Sequence, residues 1–465
     1  MLGQIIAAIS TPLGKGGVAI IRMSGKGAFD IAGRAFAPKS GKPLIDYPRR
    51  TQIYGDIISG TVKIDDGMIT LFDEGRSYTG EETVEISCHG GILVTRTVLE
   101  TLFSLGAIPA RAGEFTERAF LNGKLSLTEA EAIGNLLEAR SLEQLKLAST
   151  PSRERLNREI FEIRASLTSL LSSIYARIDY PDEDLGDFTD GETEAELKAI
   201  ENRLDNLIST YRTGRAINEG INTVICGKPN VGKSTLYNLI LGEDAAIVTD
   251  IEGTTRDLIE RTIPLGKVSL RLADTAGIRN ESEADTVERI GIERTRARIA
   301  EAELVIAVFD LSRPFDEKDE ELARLLSSTP CAKICVFNKT DKSLDGWDGY
   351  EPLKTVGFER NICLCALSGG EAALTELQSA VERLFTDEKI SAGVDPIVSS
   401  ARQHASLVAA KGFIDTAIKS YALGLPTDAA SSDIEMALGS IGELDGRAVS
   451  ESIVSDIFSK FCVGK

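Results

Sequence analysis

The chain has 465 residues, too many for one hydrophobic core, so about three domains are expected. Its 52 Lys and Arg stand against 71 Asp and Glu, a net charge of −19, which argues against broad nonspecific binding to DNA or anionic lipid. A nucleic-acid partner gripped by a local patch or by a second subunit stays open.

The first 118 residues mix short β-like runs with glycine-rich turns. VAIIRMS (18–24), TQIYGDIIS (51–59) and TVEISCH (83–89) read as strands and TRTVLETLFSLG (95–106) as a helix, which makes an α+β domain over 1–118. The opening MLGQIIAAISTPLGKGG has no basic stretch before a long apolar one, so no signal peptide is expected. No apolar run approaches a membrane span, and the expected location is the cytoplasm, with no membrane partner. From Glu117 the texture turns helical, with Thr128 and Glu131 at the spacing of a capping box. An acidic segment bearing Pro and Gly (179–192) interrupts the helices, and a further helix runs to about Arg212. Between 218 and 386 strands and helices alternate, the mark of a parallel α/β sheet, and helices resume over 387–465. The simplest architecture is a helical domain in two parts, 119–217 and 387–465, interrupted by an inserted α/β domain.

That inserted domain opens with INTVICGKPNVGKSTLYNLI, an apolar strand running through Gly227-x-x-x-x-Gly232-Lys233-Ser234 into an apolar helix. This is the context a phosphate loop requires: backbone N–H groups at a helix N-terminus face the phosphates, Lys233 neutralises them and Ser234 holds Mg²⁺. DTAG (Asp274–Gly277) follows a strand and supplies a carboxylate that orders Mg²⁺ through water. GTTRD (Gly253–Asp257) supplies Thr255 to the metal. NKTD (Asn338–Asp341) selects guanine, because Asp341 accepts from donors on the base that adenine lacks. Four motifs in order define a GTPase, so the fold class is multidomain α/β, a Ras-like P-loop G domain inserted into an all-helical domain. Two departures stand out. The loop after the strand NICLC reads Cys365-Ala366-Leu367 where such proteins usually have Ser-Ala-Lys, which removes a lysine from the guanine face. Ile278 stands where many Ras-like proteins carry a water-orienting Gln. Glu288 lies ten residues further on, and by spacing alone it reads as a solvated surface glutamate.

The seven cysteines (88, 226, 331, 335, 363, 365 and 462) form no C-x-x-C pair, a reducing-compartment pattern; Cys226, Cys335, Cys363 and Cys365 read as small buried hydrophobes. With only His89 and His404, a histidine-based metal centre is not expected, and His89 reads as a turn residue. The chain closes on FCVGK, where Gly464 and Lys465 fit a lipidation box poorly. Val454, Ile457, Phe458 and Phe461 share one helical face, which predicts a docked helix and a pinned tail. On these residues alone Cys462 is either a buried terminal thiol or a catalytic one.

With these motifs in hand, the chain resembles one family along its whole length, the tRNA-modifying GTPases called MnmE or TrmE. The resemblance is carried by TPLGKGGVAIIRMSG, SYTGEETVEISCHGG, ARAGEFTERAFLNGKLSLTEAEAI, the nucleotide motifs, DTVERIGIERT and the terminal FCVGK. It implies a homodimeric, K⁺-stimulated GTPase whose G domains pair when GTP is bound. GTP would contact Asn230, Val231, Gly232, Lys233, Ser234 and Thr235, then Thr249, Asp250, Ile251, Glu252, Gly253, Thr254 and Thr255. Further contacts would come from Asp274, Thr275, Ala276 and Gly277, from Asn338, Lys339 and Asp341, and from Cys365, Ala366 and Leu367. K⁺ would be held by Asn230, Thr249, Ile251 and Thr254, and Glu288 would orient the attacking water, beside Lys233. The loop before Glu288 is a little longer than the family pattern.

The resemblance further implies that the N-terminal domain binds 5-formyl- or 5,10-methylene-tetrahydrofolate through Arg22, Glu85 and Lys124, with Lys465 facing the ligand and Cys462 a candidate nucleophile or activating thiol. Arg111 and Arg118 are candidate tRNA or partner contacts by position. The implied reaction installs an aminomethyl or carboxymethylaminomethyl group on C5 of the wobble uridine of certain tRNAs, together with an FAD-dependent partner (MnmG or GidA) in a heterotetramer or larger complex. Two other readings compete: a regulatory GTP switch for ribosome assembly or signalling, and a membrane-remodelling GTPase. The charge of −19 and the lack of a basic amphipathic helix count against the second.

Overall fold

The computed structural model describes residues 3–180, 190–242, 261–272, 297–343, 350–368, 370–425, 427–447 and 449–464. They fall into two units, Met1–Glu138 with Ile160–Leu185 and Pro426–Lys465, and Ala139–Glu159 with Gly186–Leu425. Among the described residues no helix is long and apolar enough to cross a membrane.

In the first unit β1 (Ile6–Ile9), β2 (Val18–Ser24), β3 (Phe36–Pro38), β4 (Ile53–Ser59), β5 (Val62–Phe72), β6 (Thr83–His89) and β7 (Ile108–Pro109) form one sheet in the order β3-β4-β5-β6-β2-β1-β7. All pairings are antiparallel except β1 with β7. Strand alternation sends Ala19, Ile21 and Met23 of β2 and Val84, Ile86 and Cys88 of β6 to one face, where α1 (Ala28–Ala35) and α2 (Ile92–Ser104) cover them. The expected strands 18–24 and 83–89 are found with those bounds, whereas α2 begins three residues before the expected 95. Cys88 is a core thiol, and burial pushes it up to about 11.

The same unit holds α3 (Glu114–Leu121) and α4 (Leu127–Glu138). The capping box of α4 is not the expected Thr128–Glu131 pair. Ser126 Oγ accepts from the Glu129 amide at 3.1 Å and Glu129 Oε2 accepts from the Ser126 amide at 2.7 Å. Thr128 instead lies inside the helix, buried, and donates to the Leu444 carbonyl at 2.7 Å. The order of helices continues with α5 (Leu142–Leu147), α6 (Thr150–Asp179) and α7 (Asp190–Asn218).

In the second unit β8 (Ile221–Cys226), α8 (Lys233–Leu241), β9 (Arg261–Leu265), β10 (Val268–Leu272), β11 (Leu304–Asp310), α9 (Glu317–Ser327), β12 (Ala332–Asn338), α10 (Tyr350–Leu353), β13 (Arg360–Cys363) and α11 (Gly370–Phe385) follow in turn. The sheet order is β13-β12-β11-β8-β10-β9, parallel except between β9 and β10. Strand β11 is buried at all seven positions, the continuous apolar run expected when helices cover both faces. α5 is fixed to this unit by Gln144 Nε2, which donates to the Asn218 carbonyl at 3.2 Å and Ser269 Oγ at 3.3 Å. α7 lies along α12 (Ala401–Ala422), with Tyr211 stacked on His404 at 4.2 Å and Lys411 paired to Asp205 at 3.0 Å.

Back in the first unit, α13 (Thr427–Asp445) and α14 (Glu451–Ser459) complete the chain. Phe458 and Phe461 are buried with Leu127 and Ala130, and Val454 and Ile457 pack around them. At about 1.5–3 kcal/mol for each buried large side chain, the apolar face read from the sequence is enough to dock this short helix.

Candidate functional site

The loop between β8 and α8 carries the phosphate-loop residues. Asn230 holds a left-handed backbone, φ 62°, and Gly232 follows at φ 101°. A Cβ on Gly232 would lie 2.2 Å from Asn338 Nδ2, so only glycine leaves room there. Lys233 starts α8, and its Nζ donates to the Lys228 carbonyl at 2.7 Å, curling over the loop where phosphates would sit. Val231 is buried, while Ser234 and Thr235 are partly exposed on the first turn of α8. Lys228, inside the loop, has its ammonium turned away from the cradle. It is buried between Asp316 Oδ2 at 2.7 Å and Asp319 Oδ2 at 2.6 Å, which also form the capping box of α9. That tether was not read from the sequence, where Lys228 is one of four unspecified positions of the motif.

The NKTD residues join this loop to two others. The Asn338 side chain is buried; its Nδ2 donates to the Val231 carbonyl at 2.8 Å and its Oδ1 accepts from the Ala366 amide at 2.9 Å. Lys339, also left-handed at φ 63°, donates to the Asn230 carbonyl at 2.8 Å and to Asp310 Oδ2 at 2.7 Å. Asp310 ends β11 and also accepts from Arg313 Nε at 2.8 Å and Ser312 Oγ at 2.6 Å. Burial alone would raise its carboxyl, but the hydrogen bonds from Lys339, Ser312 and Arg313 outweigh it and hold it at about 2. Asp310 and Arg313 are functional neighbours that the sequence motifs did not single out; the signal was a charged pair three residues apart at the end of an apolar strand.

Asp341 sits exposed on a single 3₁₀ turn, Thr340–Lys342. Cys365 Sγ donates to its Oδ1 at 3.1 Å, and Leu367 is 84% exposed. Of the cysteines expected to be buried, Cys226 and Cys335 are, and burial pushes Cys226 up to about 12. Cys363 is exposed and Cys365 only half-buried, because Cys363 is the last residue of the edge strand β13 and Cys365 lies in the loop beyond it. Thr249, Asp250, Ile251, Glu252, Gly253, Thr254, Thr255, Asp274, Thr275, Ala276, Gly277 and Glu288 lie outside the described residues.

The second group of candidates lies on the sheet of the first unit, on the face opposite α1 and α2. Arg22 and Glu85 are register partners across β2 and β6 and form an ion pair at 2.8 Å, with the guanidinium over the rings of Tyr78 (5.3 Å) and Phe115 (5.7 Å). Lys124 Nζ donates to the Gly75 carbonyl at 2.9 Å. Arg118, expected as an outward contact, is buried instead: its guanidinium pairs with Glu81 at 2.9 Å and Glu114 at 3.0 Å and donates to the Gln4 carbonyl. A buried arginine needs such carboxylates, so it holds the domain together. Arg111 stays half-exposed beside Glu117 at 2.7 Å. His89 is exposed, with Nδ1 2.8 Å from Asp65 Oδ1; that hydrogen bond raises its pKa.

The tail reaches this domain. Ser10 Oγ donates to the Gly464 carbonyl at 3.1 Å, the Gly113 amide to the Cys462 carbonyl at 3.4 Å, and Val463 bridges Ala112. Gly464 has φ 96°, and a Cβ there would lie 2.3 Å from the Ile9 carbonyl. Cys462 is exposed, and Lys465 lies outside the described residues.

A phosphate loop tied by an asparagine to a guanine-type turn, on a mostly parallel sheet between helical segments, defines a P-loop GTPase. Two family models cover nearly all of the chain: the GTP-binding protein TrmE N-terminus over residues 5–124 and the MnmE helical domain over 127–462. Proteins named tRNA modification GTPase MnmE from Geobacillus thermodenitrificans (38% identical), Acetivibrio thermocellus (39%) and Thermotoga maritima (39%) each match over 99% of both chains. The chain belongs to the MnmE family of tRNA modification GTPases. Among solved structures, one of Era with MgGDPNP and 16S ribosomal RNA nucleotides aligns over 42% of this chain and 66% of its own at 24% identity, with a TM-score of 0.27.

Proposed function

We propose that this GTPase, with an FAD-dependent partner of the MnmG type, installs aminomethyl or carboxymethylaminomethyl groups on C5 of the wobble uridine of certain tRNAs. The observation that carries the reading is the strapped tail. A GTP switch has no use for a thiol held against a second domain, yet Gly113 holds the backbone at Cys462 and Ser10 holds it two residues further on. Gly113 precedes α3, whose Phe115 lies beneath Arg22, so the thiol segment and the Arg22–Glu85 pair share one domain.

The residues present suit a folate: an arginine for its glutamyl carboxylates, a carboxylate for pterin donors, and the half-buried ring of Tyr78. When bound, a tetrahydrofolate would supply the one-carbon unit. Arg22 and Glu85 would then open their mutual pair toward the ligand, Lys124 would add charge at the edge, and Lys465 is proposed to face it. Cys462 is the proposed activating thiol or nucleophile. In the G domain Lys233 and Ser234 suit phosphate and Mg²⁺, and Asn230 is a proposed K⁺ ligand with Thr249, Ile251 and Thr254; the cation would offset transition-state charge. Glu288 is proposed to orient water. The working state is proposed to be a cytoplasmic homodimer.

Nucleoside analysis of tRNA from cells carrying only Cys462→Ser tests this. The modified wobble uridine should vanish while GTP hydrolysis by the purified variant is unchanged and rises about 10²-fold in K⁺ over Na⁺. Intact modification would remove Cys462 from the chemistry, and equal rates in both salts would remove the cation.

A further inference from the structure

We propose that Cys365 is a positioning residue for base discrimination: its thiol, itself held by Ser368, sets the Asp341 carboxylate in the plane that reads guanine. The inference deepens the nucleotide reading above, since it rests on Asp341 being the base-reading carboxylate.

Asp341 stands on a single exposed 3₁₀ turn, and nothing in such a turn fixes a carboxylate whose terminal torsion is broad and two-fold. Accepting two parallel donors from a guanine edge requires one orientation of that group. Cys365 Sγ donates to Asp341 Oδ1 at 3.1 Å, and Ser368 Oγ donates to Cys365 Sγ at 3.1 Å. A carboxylate oxygen has two lone-pair sites, so Oδ1 keeps one for the base and Oδ2 keeps both. The thiol is a weak donor, and the serine hydroxyl directed at its sulfur polarises it and fixes its rotamer.

The backbone around Cys365 is rigid from both sides. The Leu364 amide donates to the Phe337 carbonyl at 2.9 Å, the Thr340 amide to the Leu364 carbonyl at 3.4 Å, and the Ala366 amide to Asn338 Oδ1 at 2.9 Å. The sulfur is therefore delivered to Asp341 by a fixed frame. Leu367, 84% exposed, puts no cation over the base, so discrimination in this chain rests more heavily on the edge contacts of Asp341.

Binding of GDP and of inosine diphosphate, which lacks the 2-amino donor, is measured by titration on the full-length protein. Cys365→Ala should weaken GDP about two- to tenfold, the range of one neutral hydrogen bond, and lower the GDP-to-IDP preference by a similar factor. Cys365→Ser should keep both, because a hydroxyl replaces the donor, and Ser368→Ala should give a smaller shift in the same direction with the thiol in place. In an Asp341→Ala background, Cys365→Ala should add nothing. Equal weakening of GDP and IDP by Cys365→Ala, or an undiminished effect in the Asp341→Ala background, would make the thiol a packing group and overturn the proposal. A wild-type protein that does not distinguish GDP from IDP would overturn the assignment of Asp341 itself.

Discussion

Removing the Asn338 side chain should detach the base-reading loops from the phosphate loop. In Asn338→Ala the Val231 carbonyl loses a 2.8 Å hydrogen bond and the Ala366 amide loses one of 2.9 Å. At a net of about 1 kcal/mol each the change is about 2 kcal/mol, and it approaches 4 kcal/mol if both groups stay dry. Val231 and Ala366 are both buried, so without the Asn338 side chain their loops must open before the two groups reach water in the empty protein. The loss is then felt when nucleotide must gather them again, and about 2 kcal/mol corresponds to roughly 30-fold weaker binding. Titration of a fluorescent GDP analogue into the full-length variant reads this directly. Gly232→Ala should act in the same direction, because its Cβ would press on Asn338 Nδ2 from 2.2 Å. An Asn338→Ala protein that binds within about threefold of the parent would refute the reasoning, since the three loops would then be held without this side chain.

Lys228→Met should destabilise the second unit by about 3 kcal/mol, the low end for breaking a buried pair, because Asp316 is 55% exposed and can rehydrate; a urea transition shifted by less than a sixth of that would contradict it. The hydrogen bond from Lys228 holds Asp316 below the usual carboxylate range, so this stabilisation is complete above the unfolded carboxylate pKa and fades as pH falls toward the depressed one; the variant should lose that acid-side dependence. Gly464→Ala should release the tail, since φ 96° and the Ile9 carbonyl both oppose a Cβ, and a loss of about 2 kcal/mol would make carboxypeptidase trimming about 30-fold faster; unchanged trimming would count against the strap. The two histidines should titrate on opposite sides of the ordinary imidazole value of about 6.5 in an NMR pH series, His89 above it through Asp65 and His404 below it through burial. Stability from His89 is present at low pH and lost as pH rises through its raised pKa, whereas protonating His404 destabilises the fold as pH falls. Coincident titration curves would refute both assignments.

The elements most legible in the sequence were those set by short-range pattern. VAIIRMS and TVEISCH alternate cleanly, and β2 and β6 have the bounds that alternation predicts. The apolar face at Val454, Ile457, Phe458 and Phe461 likewise foretold a docked helix. The misreadings came from partners distant in the chain. Thr128 had the spacing of a cap, but a carbonyl 316 residues away claims its hydroxyl and Ser126 caps instead. Arg118 had the look of a surface cation until Glu81, 37 residues earlier, is seen to bury it. Lys228 was invisible for the same reason, because nothing in GKPNVGKS announces Asp316 and Asp319 some ninety residues on.

The contact between Ser10 and Gly464 also has a consequence in time. The two residues are 454 positions apart. At about 5–20 residues per second a ribosome needs roughly 20–90 s to travel that far. Strand β1 is thus made long before Gly464, and its sheet can fold first, yet Ser10 waits for its partner until those residues have been added. The segment bearing Cys462 is thus added to a sheet that can already be folded, so a chain stalled before it has no docked tail, and one truncated there never acquires it.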